Sequence, residues 1–213
     1  MKILLFGAGG AIGSAIALEA IQRGHMVTGA CPSGLIPDGA EGMLVVAGDA
    51  TDPVSVARLA PGHNAVASAV GARRAAEDEA AVVVNAAPAL VEGLRLAGVH
   101  RLVIVGNAGS LFVAPGERWM NRADFPPESK PIAKAHAQAQ TFLEWADDLD
   151  WTCICPPASV EPGGRAGHYR VGGDRLLVDA AGESRITISD FAAAFADELE
   201  QPQRVRQCVT VAY

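Results

Sequence analysis

Aromatic residues are scarce, at 5% of 213 positions, and no lysine or arginine cluster interrupts a formal net charge of -7. That balance argues against a nucleic-acid surface, whose usual footprint is a basic face. No apolar stretch approaches the ~18 residues that a membrane span needs. Met1-Lys2 leads straight into an apolar strand, so no signal peptide is expected. These absences point to a cytoplasmic chain with no nucleic-acid and no membrane partner. Cysteine is sparse as well: Cys31, Cys153, Cys155 and Cys208, none in a CxxC pair. A zinc site lacks ligands at suitable spacing, so no metal is expected and the thiols read as buried and reduced. Cys153 and Cys155 alternate along a strand and would share one face. There is no internal repeat, and no low-complexity tract beyond mild alanine richness.

What the chain does have is apolar bulk and glycine. Half of its residues are hydrophobic, enough for a sizeable core, and its length fits a single domain over 1–213. At the N-terminus an apolar run, Ile3 to Phe6, gives way to Gly7, Gly9, Gly10 and Gly13, and then to apolar positions at helical spacing. Strand, glycine turn and helix make the first half of a nucleotide-binding βαβ unit. Gly7 suits a tight turn, Gly10 close approach of a diphosphate, and Gly13 close packing of helix on strand. The N–H groups of Gly9 to Gly13, Ala11 and Ile12 included, then face the phosphates at the positive end of the helix. The spacing is G-x-x-G-x-x-G, since position 12 is Ile.

Further strands are expected at 26–31, 44–49, 65–70, 101–105 and 151–155, with a last short one at 205–211. Helices are expected from Pro53, over 79–97, over 132–147 and over 191–200, the last capped by Ser189-Asp190. Alternating strands and helices, with nearly continuous apolar strands, indicate an α/β fold: a Rossmann-type, doubly wound parallel sheet covered on both faces. Residues 156–190, rich in Gly and Pro at their start, read as a small C-terminal cap over the substrate.

Ligands of such sheets bind beyond the carboxyl ends of the strands. That edge collects the glycine loop, Ser33, Asp49-Ala50, Val70-Gly71 and Gly106-Asn107 as the cofactor site. Asp49 suits the adenine edge or a plain turn. Neither the acid of an NAD-selective site nor the Arg of an NADP-selective one stands near Cys31-Pro32-Ser33, so NADH and NADPH both remain open. Two long segments, 111–130 and 156–175, leave the same edge as flaps or as a dimer contact, and the chain is read as a monomer or homodimer. With Ala108 and Gly109, their Phe112, Trp119, Pro156 and His168 are candidate substrate contacts. Candidate proton donors are Ser110, Lys134, His136 and Tyr169. Lys134 and His136, two apart on a helix, cannot both look inward.

Four stretches carry a resemblance: Gly7-Ala8-Gly9-Gly10-Ala11-Ile12-Gly13-Ser14, Arg23-Gly24-His25-x-Val27-Thr28, Gly48-Asp49-Ala50-Thr51-Asp52 and Val103-x-Val105-Gly106-x-Ala108-Gly109-Ser110-Leu111. With Gly172-Gly173-Asp174 and the closing Val209-x-Val211-Ala212-Tyr213, they make the chain resemble the atypical short-chain dehydrogenase/reductases over nearly its whole length. It is most similar to the bacterial NADH-flavin reductase group, relatives of the NmrA-like proteins and of biliverdin reductase B. The resemblance implies NAD(P)H binding and hydride transfer to a flavin, quinone or other conjugated small molecule, with FMN or FAD as substrate rather than prosthetic group. It departs from that group at Pro32, where Arg is common, and at Ser129-Lys130-Pro131, where Tyr-Lys-Pro is common. The departures leave two alternatives: a redox sensor that binds nucleotide without turnover, and a tailoring reductase or epimerase acting on one ketone.

Overall fold

The computed structural model describes residues 1–36, 41–71 and 77–213. The first half alternates strand and helix except where β3 follows β2 directly: β1 (Lys2–Phe6), α1 (Ala11–Gln22), β2 (Met26–Cys31), β3 (Leu44–Ala47), α2 (Pro53–Leu59), β4 (Ala65–Ser68), α3 (Glu77–Ala97) and β5 (Arg101–Val105). A two-stranded hairpin, β6 (Phe112–Ala114) and β7 (Glu117–Arg118), then precedes α4 (Lys130–Leu143) and β8 (Asp150–Cys155). The rest comprises β9 (Ser159–Glu161), β10 (Arg170–Val171), β11 (Arg185–Thr187), α5 (Ile188–Glu200) and β12 (Gln207–Ala212). The main sheet runs β10-β12-β8-β5-β4-β1-β2-β3, parallel except for β10, which pairs antiparallel with β12. This is the expected doubly wound Rossmann-type sheet.

Its central strands β1, β4 and β5 are almost wholly apolar and buried because both faces are covered. Leu4 and Phe6 pack with Leu90, Leu94, Leu102 and Leu143 on the side of α2, α3 and α4. Ile3 and Leu5 pack with Ile16, Phe191 and Phe195 on the side of α1 and α5. Burying each such side chain contributes roughly 1.5–3 kcal/mol. Local caps set the helix starts. Asp52 accepts from Val54 N at 3.0 Å ahead of Pro53, and α5 is capped by Thr187, which accepts from Asp190 N at 3.2 Å, rather than by Ser189-Asp190.

Several expectations need correction. The window Ala80–Ala97 of α3 has mean hydropathy 1.4 over 18 residues, long and apolar enough by composition to cross a membrane, although no such stretch was expected. In the fold it is a covering helix, with Val83 and Ala87 packed on Ala135 and Ala139 of α4. Segment 111–130 is not an open loop. Pro115-Gly116, with Gly116 at φ 75°, turns the β6–β7 hairpin, and Phe112 N donates to Asp174 O at 2.9 Å. Helix α4 stops at Leu143, and residues 144–147 lie outside it.

Candidate nucleotide site

The glycine loop is built by three different constraints. Gly7 adopts φ 79°, and a Cβ there would lie 2.7 Å from the Ala69 carbonyl at the end of β4. At Gly13 a Cβ would lie 2.1 Å from Gly7 O, so only glycine lets α1 sit this close to β1. Gly10 is different: a Cβ there would meet nothing nearer than Gly7 O at 3.5 Å, and the space above it is open. Gly10 is also the N-cap of α1, with no side-chain cap and no acid in the first turn. Among the described residues the N–H groups of Ala11, Ile12 and Gly13 find no acceptor. Gly9 and Ala11 are exposed and Ile12 partly so. Free donors at a positive helix end, beneath an open space, fit an anionic diphosphate.

The other cofactor candidates lie along the same edge. Ser33 is exposed, and its hydroxyl donates to Leu35 O at 3.0 Å while accepting from Leu35 N at 3.2 Å. Asp49 is exposed after β3, with Oδ1 taken by Thr51 N and Thr51 Oγ1 at 2.8 and 2.7 Å; the structure thus shows its turn role directly. Ala50 is buried, Val70 partly buried, and Gly71 exposed with nothing within 4 Å of an added Cβ. Gly106 N donates to Ile154 O at 2.8 Å, and Asn107 Oδ1 caps the next turn from Gly109 N at 2.8 Å.

The proton-donor candidates do not converge. The Ser110 residue is buried; its hydroxyl donates to Asn107 O at 2.7 Å and accepts from Gln140 Nε2 at 2.7 Å. That hydroxyl is a structural brace. Lys134 is exposed and His136 buried, as two residues on opposite faces of α4 must be. Tyr169 lies just before β10, the outermost strand, with β12 and β8 between it and β5. Its hydroxyl donates to Asp197 of α5, and burial together with that carboxylate pushes the phenol pKa up. His168 is exposed against Tyr213, ring centroids 5.5 Å apart.

The reason for the displacement of Tyr169 and His168 is the path of the chain after β8. Arg165 pairs with Glu19 of α1 at 3.1 Å, Ala166 N and Gly167 N donate to the Asp190 carboxylate at 2.8 and 3.2 Å, and Ser189 Oγ donates to Gly163 O at 2.8 Å. These bonds clamp 163–169 to α1 and α5.

Of the substrate candidates, Ala108 and Gly109 are buried, and a Cβ on Gly109 would lie 2.7 Å from Ala133 Cβ of α4. Phe112 lies under the Arg118 guanidinium, 4.8 Å from the ring centroid. It lines a cleft of about 230 Å³ together with Ser110, Arg118, Gln140, Trp151 and Cys208. Trp119 stands edge-on to Phe125 at 5.0 Å. Trp119, Pro156 and His168 do not line this cleft. A second cleft, of about 380 Å³, includes Tyr169 and Asp197 and lies on the α5 side. Sequence reasoning missed Arg118 and Gln140. The only signal for Gln140 is its place one turn after His136 on the inward face of α4.

Burial pushes the His136 imidazole down to about 4 from its ordinary 6.5, so at neutral pH it is uncharged. Below pH ~6.5 the unfolded chain binds a proton that the folded chain refuses. Stability therefore falls as pH drops from ~6.5 toward ~4, by an amount on the order of 3 kcal/mol at most. His136→Leu is expected to flatten this slope, measured as the urea midpoint between about pH 7 and about pH 5; an unchanged slope would assign the loss to other groups.

Residues 7–202 match the family model described as NAD(P)H-binding. The chain belongs to this NAD(P)H-binding family. Several solved structures are similar to the chain over its whole length. A candidate exported protein from Burkholderia pseudomallei is 45% identical, with a TM-score of 0.91 and both chains covered over 100%. A candidate epimerase from Bacteroides thetaiotaomicron is 36% identical at a TM-score of 0.87, covering 100% of this chain and 96% of the other. A candidate NADH-flavin reductase from Streptococcus pneumoniae is 28% identical at a TM-score of 0.85, covering 100% and 99%. The family likeness matches the open donors at Gly10–Gly13, and it places the protein among the atypical short-chain dehydrogenase/reductases, an oxidoreductase-like and epimerase-like group.

Proposed function

We propose that this NAD(P)H-binding protein is a reductase that passes a hydride to a flavin, a quinone or a similar conjugated ring. One observation carries the reading: free diphosphate donors at the head of α1 coincide with no free acid among the candidates near β5. Ser110 is braced, His136 is buried and neutral, Lys134 faces solvent, and Tyr169 is held by Asp197 beyond β8 and β12. Reducing a ketone needs an acid for the developing alkoxide, whereas a flavin or quinone can take its proton from water.

In this reading Gly7, Gly9, Gly10, Ala11, Ile12 and Gly13 hold the diphosphate, Asp49 and Ala50 border the adenine, and Val70 and Gly71 the ribose. Gly106 and Asn107 present backbone to the nicotinamide ring. When bound, the reduced nicotinamide supplies the hydride. The chain positions that ring and keeps its own titratable groups away. The name of the Streptococcus pneumoniae relative supports the acceptor class.

The test is oxidation of NADH and NADPH by purified protein with free FMN and with a soluble quinone. Turnover with either acceptor is expected, and none across a broad acceptor panel would contradict the reading. Tyr169→Phe and Lys134→Ala are expected to keep kcat/KM within about twofold, since Tyr169 is held by Asp197 and Lys134 is exposed to solvent. A large loss in either would restore the ketone reductase or epimerase reading, which the Bacteroides thetaiotaomicron relative's name favours. The same lack of an acid also fits a sensor that binds without turnover. Calorimetry with oxidised and reduced nucleotides separates the two, because a sensor needs unequal affinities.

A further inference from the structure

Three of the four cysteines meet in the fold although they have no metal-ligand spacing along the chain. Cys153 and Cys155 point to the same face of β8, and Cys208 of β12 stands in register opposite Cys153. Their sulfurs all lie within 4.8 Å of one another, with Cys155 Sγ and Cys208 Sγ at 3.4 Å. All three are free thiols, and Cys153 and Cys155 are fully buried.

The surroundings are built around the sulfurs. A Cβ at position 106 would lie 2.4 Å from Cys155 Sγ and 2.8 Å from Cys153 Sγ, so glycine there is what lets the sulfurs sit under the end of β5. Gln140 Nε2 donates to Cys155 Sγ at 3.3 Å and lies 3.8 Å from Cys153 Sγ. Arg118 Nη1 donates to Gln140 Oε1 at 3.4 Å, which turns the amide NH2 group toward the sulfurs. Thr210, in register opposite Cys155, is completely buried and its hydroxyl has no hydrogen-bond partner among the described residues. A core threonine in that condition is costly unless something else completes it.

We infer that Cys153, Cys155 and Cys208 form a three-sulfur site for a thiophilic d10 cation, Cu(I) above all. Sulfur-only ligation selects soft ions. Among the described residues no imidazole or carboxylate joins the group to complete the tetrahedral set that zinc prefers. Sulfurs this close need only small shifts to share one ion. Each thiol that binds gives its proton to solvent, and the Gln140 N–H group then donates to a coordinated thiolate, the outer-shell role that fixes ligand orientation. Cys208 lines the cleft of about 230 Å³, which gives the ion a route from solvent. Cys31, on β2, is outside the cluster and serves as an internal control.

The experiment uses the full chain, reduced and kept without oxygen, competing with bicinchoninate for Cu(I). About one equivalent is expected to transfer to the protein, and copper K-edge absorption is expected to show sulfur as the nearest neighbours. Cys208→Ser is expected to weaken the competition by about a hundredfold or more, while Cys31→Ser leaves it unchanged. Failure of the wild-type protein to take copper from bicinchoninate overturns the proposal. So do nearest neighbours other than sulfur, or equal uptake by a folded Cys208→Ser variant. If Cys208→Ser does not fold, the wild-type absorption spectrum still decides.

Discussion

Gly10→Asp is expected to lower affinity for NADH and NADPH by about a hundredfold or more, close to 3 kcal/mol, without lowering thermal stability. The substitution is chosen because its two effects have opposite signs. Gly10 is the N-cap of α1 and lacks any side-chain cap, and a new side chain would enter open space. Aspartate at an N-cap is favoured over glycine by about a few tenths of a kcal/mol, so the helix is not weakened. The same carboxylate would accept from the N–H groups of Ile12 or Gly13 and repel a diphosphate from the helix end. A melting midpoint at or above wild type, with binding lost, is therefore the signature of a phosphate site. Gly13→Ala is a poorer probe, because its Cβ would lie 2.1 Å from Gly7 O and both folding and binding would suffer.

The second large effect lies at the opposite edge of the sheet. Glu198→Ala is expected to cost about 3–5 kcal/mol of stability, a large share of the roughly 5–15 kcal/mol typical of a domain. Arg101, at the start of β5, is only 8% exposed. Its Nη2 donates to Glu198 O and Glu198 Oε1 at 2.7 and 2.9 Å, and its Nη1 to Asp150 O and Thr152 Oγ1, both at 2.8 Å. Burial already pulls the Arg101 pKa below its usual value, with Glu198 opposing the pull. Truncating Glu198 removes the opposing charge and leaves the Arg101 cation stranded. Urea unfolding measures the loss. At a temperature where the variant is folded, kcat is expected to stay near wild type, because Arg101 opens β5 whereas the nucleotide edge follows its end. A cost below about 1 kcal/mol would mean that water reaches the pair.

These two sites differ in how far the chain's order reveals them. The glycine loop is legible because its constraints are local: Gly7, Gly10 and Gly13 fall within one turn-and-helix unit, and the apolar run before them marks the strand. The sheet is legible for the same reason, since strands buried on both faces need no alternation, and Ile3–Phe6 and Arg101–Val105 show that pattern. Arg101 opens such a strand, and nothing in its neighbours announces a partner 97 residues away.

The path of 156–175 was illegible for a related reason. Its direction is set by Glu19, Asp190 and Asp197, carboxylates on two helices that only the folded chain brings side by side. Tyr169 therefore looked available when it is anchored far from β5. The three-sulfur cluster is a further case: alternation put Cys153 and Cys155 on one face, but Cys208 joins them only through the pairing of β12 with β8.

The central claim is that backbone N–H groups at the head of α1 grip the dinucleotide's diphosphate. Amide proton and nitrogen shifts of uniformly labelled protein, followed during titration with NADPH, test it most directly. The largest changes are expected at Ala11, Ile12 and Gly13, with a second group at Gly106 and Asn107. Saturable binding that leaves the Ala11–Gly13 amides unmoved would contradict it.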